Sequence, residues 1–169
     1  MSLRALFLYP EDDYKALAAA CAADAAGTPA EAPLAAFSAA LEPLSITDVQ
    51  EKFVQTFEMN PDTTLDIGWH LYGEQYERGE FLVTARRALR RYEVEESTEL
   101  PDHLSHLIPL IEKMEWEERV VFATEHLVPA LNKILSGLKG NIFENLVAAV
   151  ARLYAPEPSL VGAGETGHE

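Results

Sequence analysis

The sequence predicts an all-α protein, a single bundle of about six to eight helices. Apolar residues recur every third or fourth position in one segment after another, no window alternates with the period of a strand, and the β-branched residues fall inside the helical patterns. With 169 residues and 48% hydrophobic content, the chain can fill one core and is too short for two domains to be expected. A helical domain is expected over residues 1–154, followed by a disordered tail over 155–169.

The first helix is expected over 12–21, alanine-rich with Tyr14, Leu17 and Ala18 at helical spacing, before Gly27-Thr28-Pro29 punctuates the run. A second, over 30–41, buries Leu34, Phe37 and Leu41 and is stopped by Pro43. Ser45 and Asp48 read as a capping box opening a third helix, with Ile46, Val49, Phe53, Val54 and Phe57 on one face. Asn60-Pro61-Asp62-Thr63-Thr64 must turn the chain, after which 65–72 forms a short helix ending at Gly73. Over 75–92 the pattern turns Phe81, Leu82, Ala85, Leu89 and Tyr92 inward and the pairs Arg86-Arg87 and Arg90-Arg91 outward. Residues 93–99 are acidic and polar, a linker or a frayed helix end. Pro101 suits the first position of the next helix, because its missing N–H has no intrahelical acceptor to satisfy there. Leu104, Leu107, Ile108 and Ile111 supply that helix's apolar stripe. A long helix over 116–138 is expected to bend at Pro129, and a last one covers 141–154.

A formal net charge of -15 argues against nucleic-acid binding, which needs clustered Lys and Arg, and disfavours an anionic membrane surface. It favours a cationic ligand such as a peptide carrying arginines. Cys21 is the single cysteine, so neither an intrachain disulfide nor a thiolate metal cage is available, which suits the cytoplasm. The apolar run over 3–8 is cut short by Tyr9-Pro10 and three acids, too early for a signal peptide. No segment approaches the roughly 20 apolar residues of a membrane span.

Two clusters stand out as candidate sites: Trp69-His70-Leu71-Tyr72-Gly73 with Glu77-Arg78-Gly79, and Glu99-Leu100-Pro101-Asp102-His103-Leu104. His103 and His106 share a helix face, but a catalytic zinc needs three protein ligands, and His70 or His126 would have to arrive through folding. Asp102 can orient His103 for acid–base work, yet no nucleophile elbow or phosphate-cradling glycine loop accompanies them. The plainer reading makes Asp102 a carboxylate at a helix start, favoured by the backbone N–H groups there. Trp69 and Tyr72 can line a peptide groove or pack in the core, Gly73 and Gly79 permit turns or close approach, and Arg78 suits an ion pair or a ligand contact. No enzyme activity, metal or cofactor is expected.

These clusters, in order along the chain with Leu6-Phe7-Leu8-Tyr9-Pro10, Phe53-Val54-Gln55-Thr56-Phe57-Glu58 and Thr64-Leu65, resemble the cytoplasmic maturation chaperones of molybdenum oxidoreductases, in the nitrate reductase delta-subunit branch. The likeness is strongest over 53–110, and Glu99-Leu100-Pro101-Asp102-His103-Leu104 is its most specific part. Departures at Phe53, Glu74-Gln75-Tyr76 and Ser105 leave the client open, with dimethyl sulfoxide, selenate or perchlorate reductases as alternatives to nitrate reductase.

The resemblance implies an all-helical, non-enzymatic chaperone, monomeric or a helix-swapped dimer. It would bind the N-terminal leader of the apo catalytic subunit until the molybdenum cofactor is inserted. It also implies a peptide site at Trp69, His70, Tyr72, Gly73, Arg78, Gly79, Leu100, Pro101, Asp102, His103 and Leu104, with Asp102 pairing with a leader arginine or holding His103. Trp69, Tyr72 and Leu104 would give apolar contact. Replacing Asp102 and His103 by Ala is then expected to weaken leader binding and leave helicity and thermal stability near wild type. The other readings are a small metal hydrolase built on His103 and His106 and a generic helical adaptor.

Overall fold

Two helices open on side-chain caps, Ser45 and His103, and Gly73 and Gly137 close two others. The computed structural model describes residues 3–156, so the expectation for 155–169 lies outside the described residues except at its first two positions. After a 3₁₀ turn at Leu3–Phe7 come α1 (Tyr14–Asp24) and α2 (Glu31–Leu41), a hairpin turned at Gly27, whose φ of 78° is one an L side chain rarely adopts. Ser45 accepts the Asp48 backbone N–H at 3.1 Å and opens α3 (Ile46–Phe53) as the capping signal predicts. Next are α4 (Ile67–Tyr72), ending at Gly73 with φ 58°, α5 (Tyr76–Arg91), α6 (Leu104–Lys113), α7 (Trp116–Phe122), α8 (Val128–Ser136) and α9 (Glu144–Tyr154). Since α7 and α8 run on through one wide turn, the described residues form eight helical rods and no strand.

That wide turn, Ala123–Leu127, is a π turn, and a second one, Val54–Glu58, extends α3. Pro129 has no N–H to give the Glu125 carbonyl, so the bend expected at the proline is absorbed as a wider turn just before it. The last helix starts three residues later than its pattern suggests, because Asn141 Oδ1 takes the Phe143 N–H at 2.8 Å and holds the entrance in a turn.

Helix α9 lies at the centre, burying Leu146, Val147 and Val150 against α2 and α8. Phe143, fully buried, has ring centroids 4.9 Å from Phe57, 5.8 Å from Phe53 and 5.8 Å from Phe37. Edge and tilted ring contacts of this kind add to the burial that drives the core.

One long-range feature places the candidate site. Residues 65–67 and 102–104 run antiparallel past each other: the Ile67 N–H donates to the Asp102 carbonyl at 3.0 Å, and the Leu104 N–H to the Leu65 carbonyl at 2.9 Å. This crossing corrects the expectation for Pro101. With 102–104 drawn into extended pairing, α6 cannot begin at the proline; it begins at Leu104 with His103 as its N-cap, and Pro101 sits buried in the preceding turn.

Candidate functional site

The two sequence clusters meet at Asp102. Its side chain is fully buried, and Oδ2 accepts the Gly68 backbone N–H at 2.9 Å, so it caps the start of α4 from a distant part of the chain. The Arg78 guanidinium reaches the same oxygen at 3.5 Å and lies 5.9 Å over the Trp69 ring, whose Nε1–H donates to the Pro61 carbonyl. Gly68 makes the approach possible: a Cβ there would stand 2.7 Å from Asp102 Oδ2 and 2.9 Å from Phe81 Cδ1. Burial, aided by the charge of Asp66, raises the Asp102 pKa, while Arg78 and the Gly68 N–H oppose the shift.

This geometry changes several expectations. Asp102 and Leu104, both fully buried, present nothing to a surface ligand, so neither the arginine pairing nor the apolar contact assigned to them is available. Nor does Asp102 orient His103. The His103 ring caps its own helix, with Nδ1 accepting the Ser105 N–H at 3.2 Å and lying 2.8 Å from the Ser105 hydroxyl. Burial lowers the His103 pKa, against the raising influence of Glu99 and Asp66.

His106 is fully buried, donating from Nδ1 to the Leu100 carbonyl at 2.8 Å and accepting the Ser97 N–H on Nε2 at 2.9 Å. Both ring nitrogens are thus engaged within the chain, and His103 and His106 do not form the metal-binding pair their spacing allowed. Among the described residues no group of three or more His, Cys, Asp or Glu is arranged to hold a metal ion.

The remaining candidates scatter. His70 is half-buried and bonds the Thr64 carbonyl at 2.6 Å, while Lys133 holds its backbone carbonyl at 2.7 Å; burial lowers its pKa. Gly73 terminates α4, and Gly79 lies within α5, where an added Cβ would meet nothing inside 4 Å. Leu100 and Pro101 line a cleft against α5, and His103 lines a separate cavity of about 250 Å³. Phe7 and Tyr9, Phe57 and Glu58, Leu65 and Glu99 also line that cavity.

A more apolar opening lies elsewhere, between α5, α6 and the rod formed by α7 and its π turn. It is a groove of about 370 Å³ floored by Leu110 and Met114. Along it runs a ladder of rings, with centroids 5.9 Å apart from Tyr72 to Phe81, 5.2 Å from Phe81 to His126 and 5.6 Å from His126 to Phe122. Exposed Glu77 and Glu80 stand on one side and Glu118 on the other, held by the Tyr92 hydroxyl and, at 3.7 Å, by Arg91. His126 Nδ1 has no partner among the described residues, and burial lowers the pKa of its ring. Chemically, the groove offers apolar contact, aromatic faces for a cation and carboxylates to pair with it.

No family model and no curated protein matches the chain.

Of the groove residues, the site expectation includes only Tyr72. Phe81 reads in the sequence as an ordinary core residue, and Phe122, His126 and Glu118 belong to a helix that pairs with α5 only through folding. Glu77 and Glu80, one helical turn apart beside Phe81, are the local signal that could have marked this face.

Proposed function

We propose that this chain is a peptide-binding chaperone. It would hold the N-terminal leader of a molybdenum oxidoreductase catalytic subunit, a nitrate reductase-like enzyme in the first instance, while its cofactor is inserted. The observation that carries the binding part of this reading is the groove of α5 to α7, an aromatic and apolar trough flanked by glutamates on a chain of net charge -15. A leader folding as an amphipathic helix would lay its apolar face on Val121, Phe122 and the ring ladder and direct Lys or Arg toward Glu77, Glu80 and Glu118. The likeness of the sequence clusters to molybdenum enzyme chaperones supplies the client class.

The test has two arms. Titration with a synthetic basic amphipathic peptide should show binding that weakens with salt, with Glu77→Gln plus Glu80→Gln and with Val121→Asp on the exposed lip of the groove. Affinity purification from the native host should recover a molybdenum oxidoreductase catalytic subunit. Binding insensitive to all three changes would overturn the groove, and recovery of unrelated proteins alone would overturn the client.

A further inference from the structure

The other flank of α5 carries a second groove of opposite charge. Arg86, Arg87 and Arg90 line a cleft of about 350 Å³. Leu82 and Val83 of the same helix, with Leu100 and Pro101 of the turn before α6, supply its apolar surface. Val83 and Leu100 are 59% and 46% exposed, so this surface is open to solvent.

The charge is out of keeping with the chain. Only 13 Lys and Arg stand against 28 Asp and Glu, yet three of those 13 face this one cleft. Arg86 Nε pairs with Glu96 at 3.1 Å, whereas Arg87 and Arg90 have no carboxylate partner among the described residues. Two guanidinium groups without a carboxylate partner, side by side on one helix, favour an anionic ligand at this cleft. Arginine also matches carboxylates through paired N–H donors, as lysine cannot.

Spacing narrows the occupant. Val83, Arg87 and Arg90 recur at four and three residues, so an apolar group and then two cations follow one another along one helical stripe of about 10 Å, near two turns. A free phosphate would use the guanidinium groups and leave Leu82, Val83 and Leu100 bare. We propose that this cleft docks an acidic, apolar peptide segment of a partner protein, with carboxylates on Arg87 and Arg90 and aliphatic side chains on Val83 and Leu100. One helix then separates two docking grooves, and the partner presents its acidic segment to one side while the other side remains free for cationic ligands.

The experiment is fluorescence anisotropy of the full chain with a labelled peptide repeating Glu-Glu-Leu-Leu, against a same-length peptide with the leucines replaced by serine. The first should bind in low salt and the second markedly less. Arg87→Gln with Arg90→Gln should weaken the first by about tenfold or more and spare a basic amphipathic peptide, which reads the other groove. Leu100→Asp should act likewise. Circular dichroism of each variant checks that these exposed positions leave the fold intact. Equal binding of the two peptides, or indifference to both variants, would overturn the proposal. So would complete competition by inorganic phosphate, which would make the cleft a small-anion site, or arginine-dependent self-association in sedimentation, which would make a second copy the occupant.

Discussion

Removing the Asp102 side chain should damage the fold before it damages any recognition. In Asp102→Ala the Gly68 N–H loses its acceptor at 2.9 Å inside a fully buried position, and Arg78 loses the carboxylate at 3.5 Å. A buried hydrogen bond to a charged group contributes about 1.5–3 kcal/mol. The ion pair adds less than a fully buried one would, because its geometry is long and Arg78 is 21% exposed, so water screens it. The expected loss is about 2–4 kcal/mol. Asp102→Asn keeps an acceptor for Gly68 and sheds the cost of burying charge, so it should lose less than about 1.5 kcal/mol. Urea unfolding followed by circular dichroism measures both. The sign with pH is also fixed: a carboxyl whose folded pKa is raised contributes stability that is fully present below its unfolded pKa and lost as pH rises through the folded one. Wild type should therefore gain on Asp102→Asn as pH falls from neutral toward about 4. An Ala variant within about 0.5 kcal/mol of wild type would refute the capping role, and an Asn variant as weak as Ala would show that charge, not the acceptor, is what matters.

Gly68→Ala should destabilise by about 1–3 kcal/mol in the same assay, since the new methyl meets Asp102 and Phe81, although Ala normally favours a helix. Gly79→Ala meets nothing and should stabilise by about 0.5–1 kcal/mol; a loss there would mean that α5 needs glycine for another reason. His103, with its folded pKa lowered, contributes stability present above its unfolded pKa and lost as pH falls through the folded value. His103→Asn keeps an N-cap acceptor and should reduce the loss of urea resistance as pH falls below about 6.5, whereas an unchanged pH profile would assign that loss to His70 and His126.

The helical class, the Ser45 cap and the ends at Gly73 and Tyr154 were legible because each is written in a short stretch of sequence. Pro101 misled for a physical reason. Its fitness for a helix start is local, while the pairing that moves the start to Leu104 comes from residues 65–67, more than 30 positions away. The motif residues were legible as unusual, but their meaning was not. A proline, a carboxylate and a histidine before an apolar helix suggest a contact surface, and only the fold shows Asp102 turned inward onto Gly68. Arg87 and Arg90 read correctly as outward on periodicity; that Leu100 and Pro101 lie beside them depends on how the linker folds back.

The antiparallel crossing at 65–67 and 102–104 has a mechanical consequence. It clips together the chain on either side of α5, so that helix hangs as a loop from a fastened base. Left-handed residues stand at both of its attachments, Gly73 with φ 58° before it and Glu93 with φ 55° after it. A movement of α5 that widens either groove while the clip holds would turn about these two positions, and a brief protease exposure should nick the chain near them before it cuts within α4 or α6.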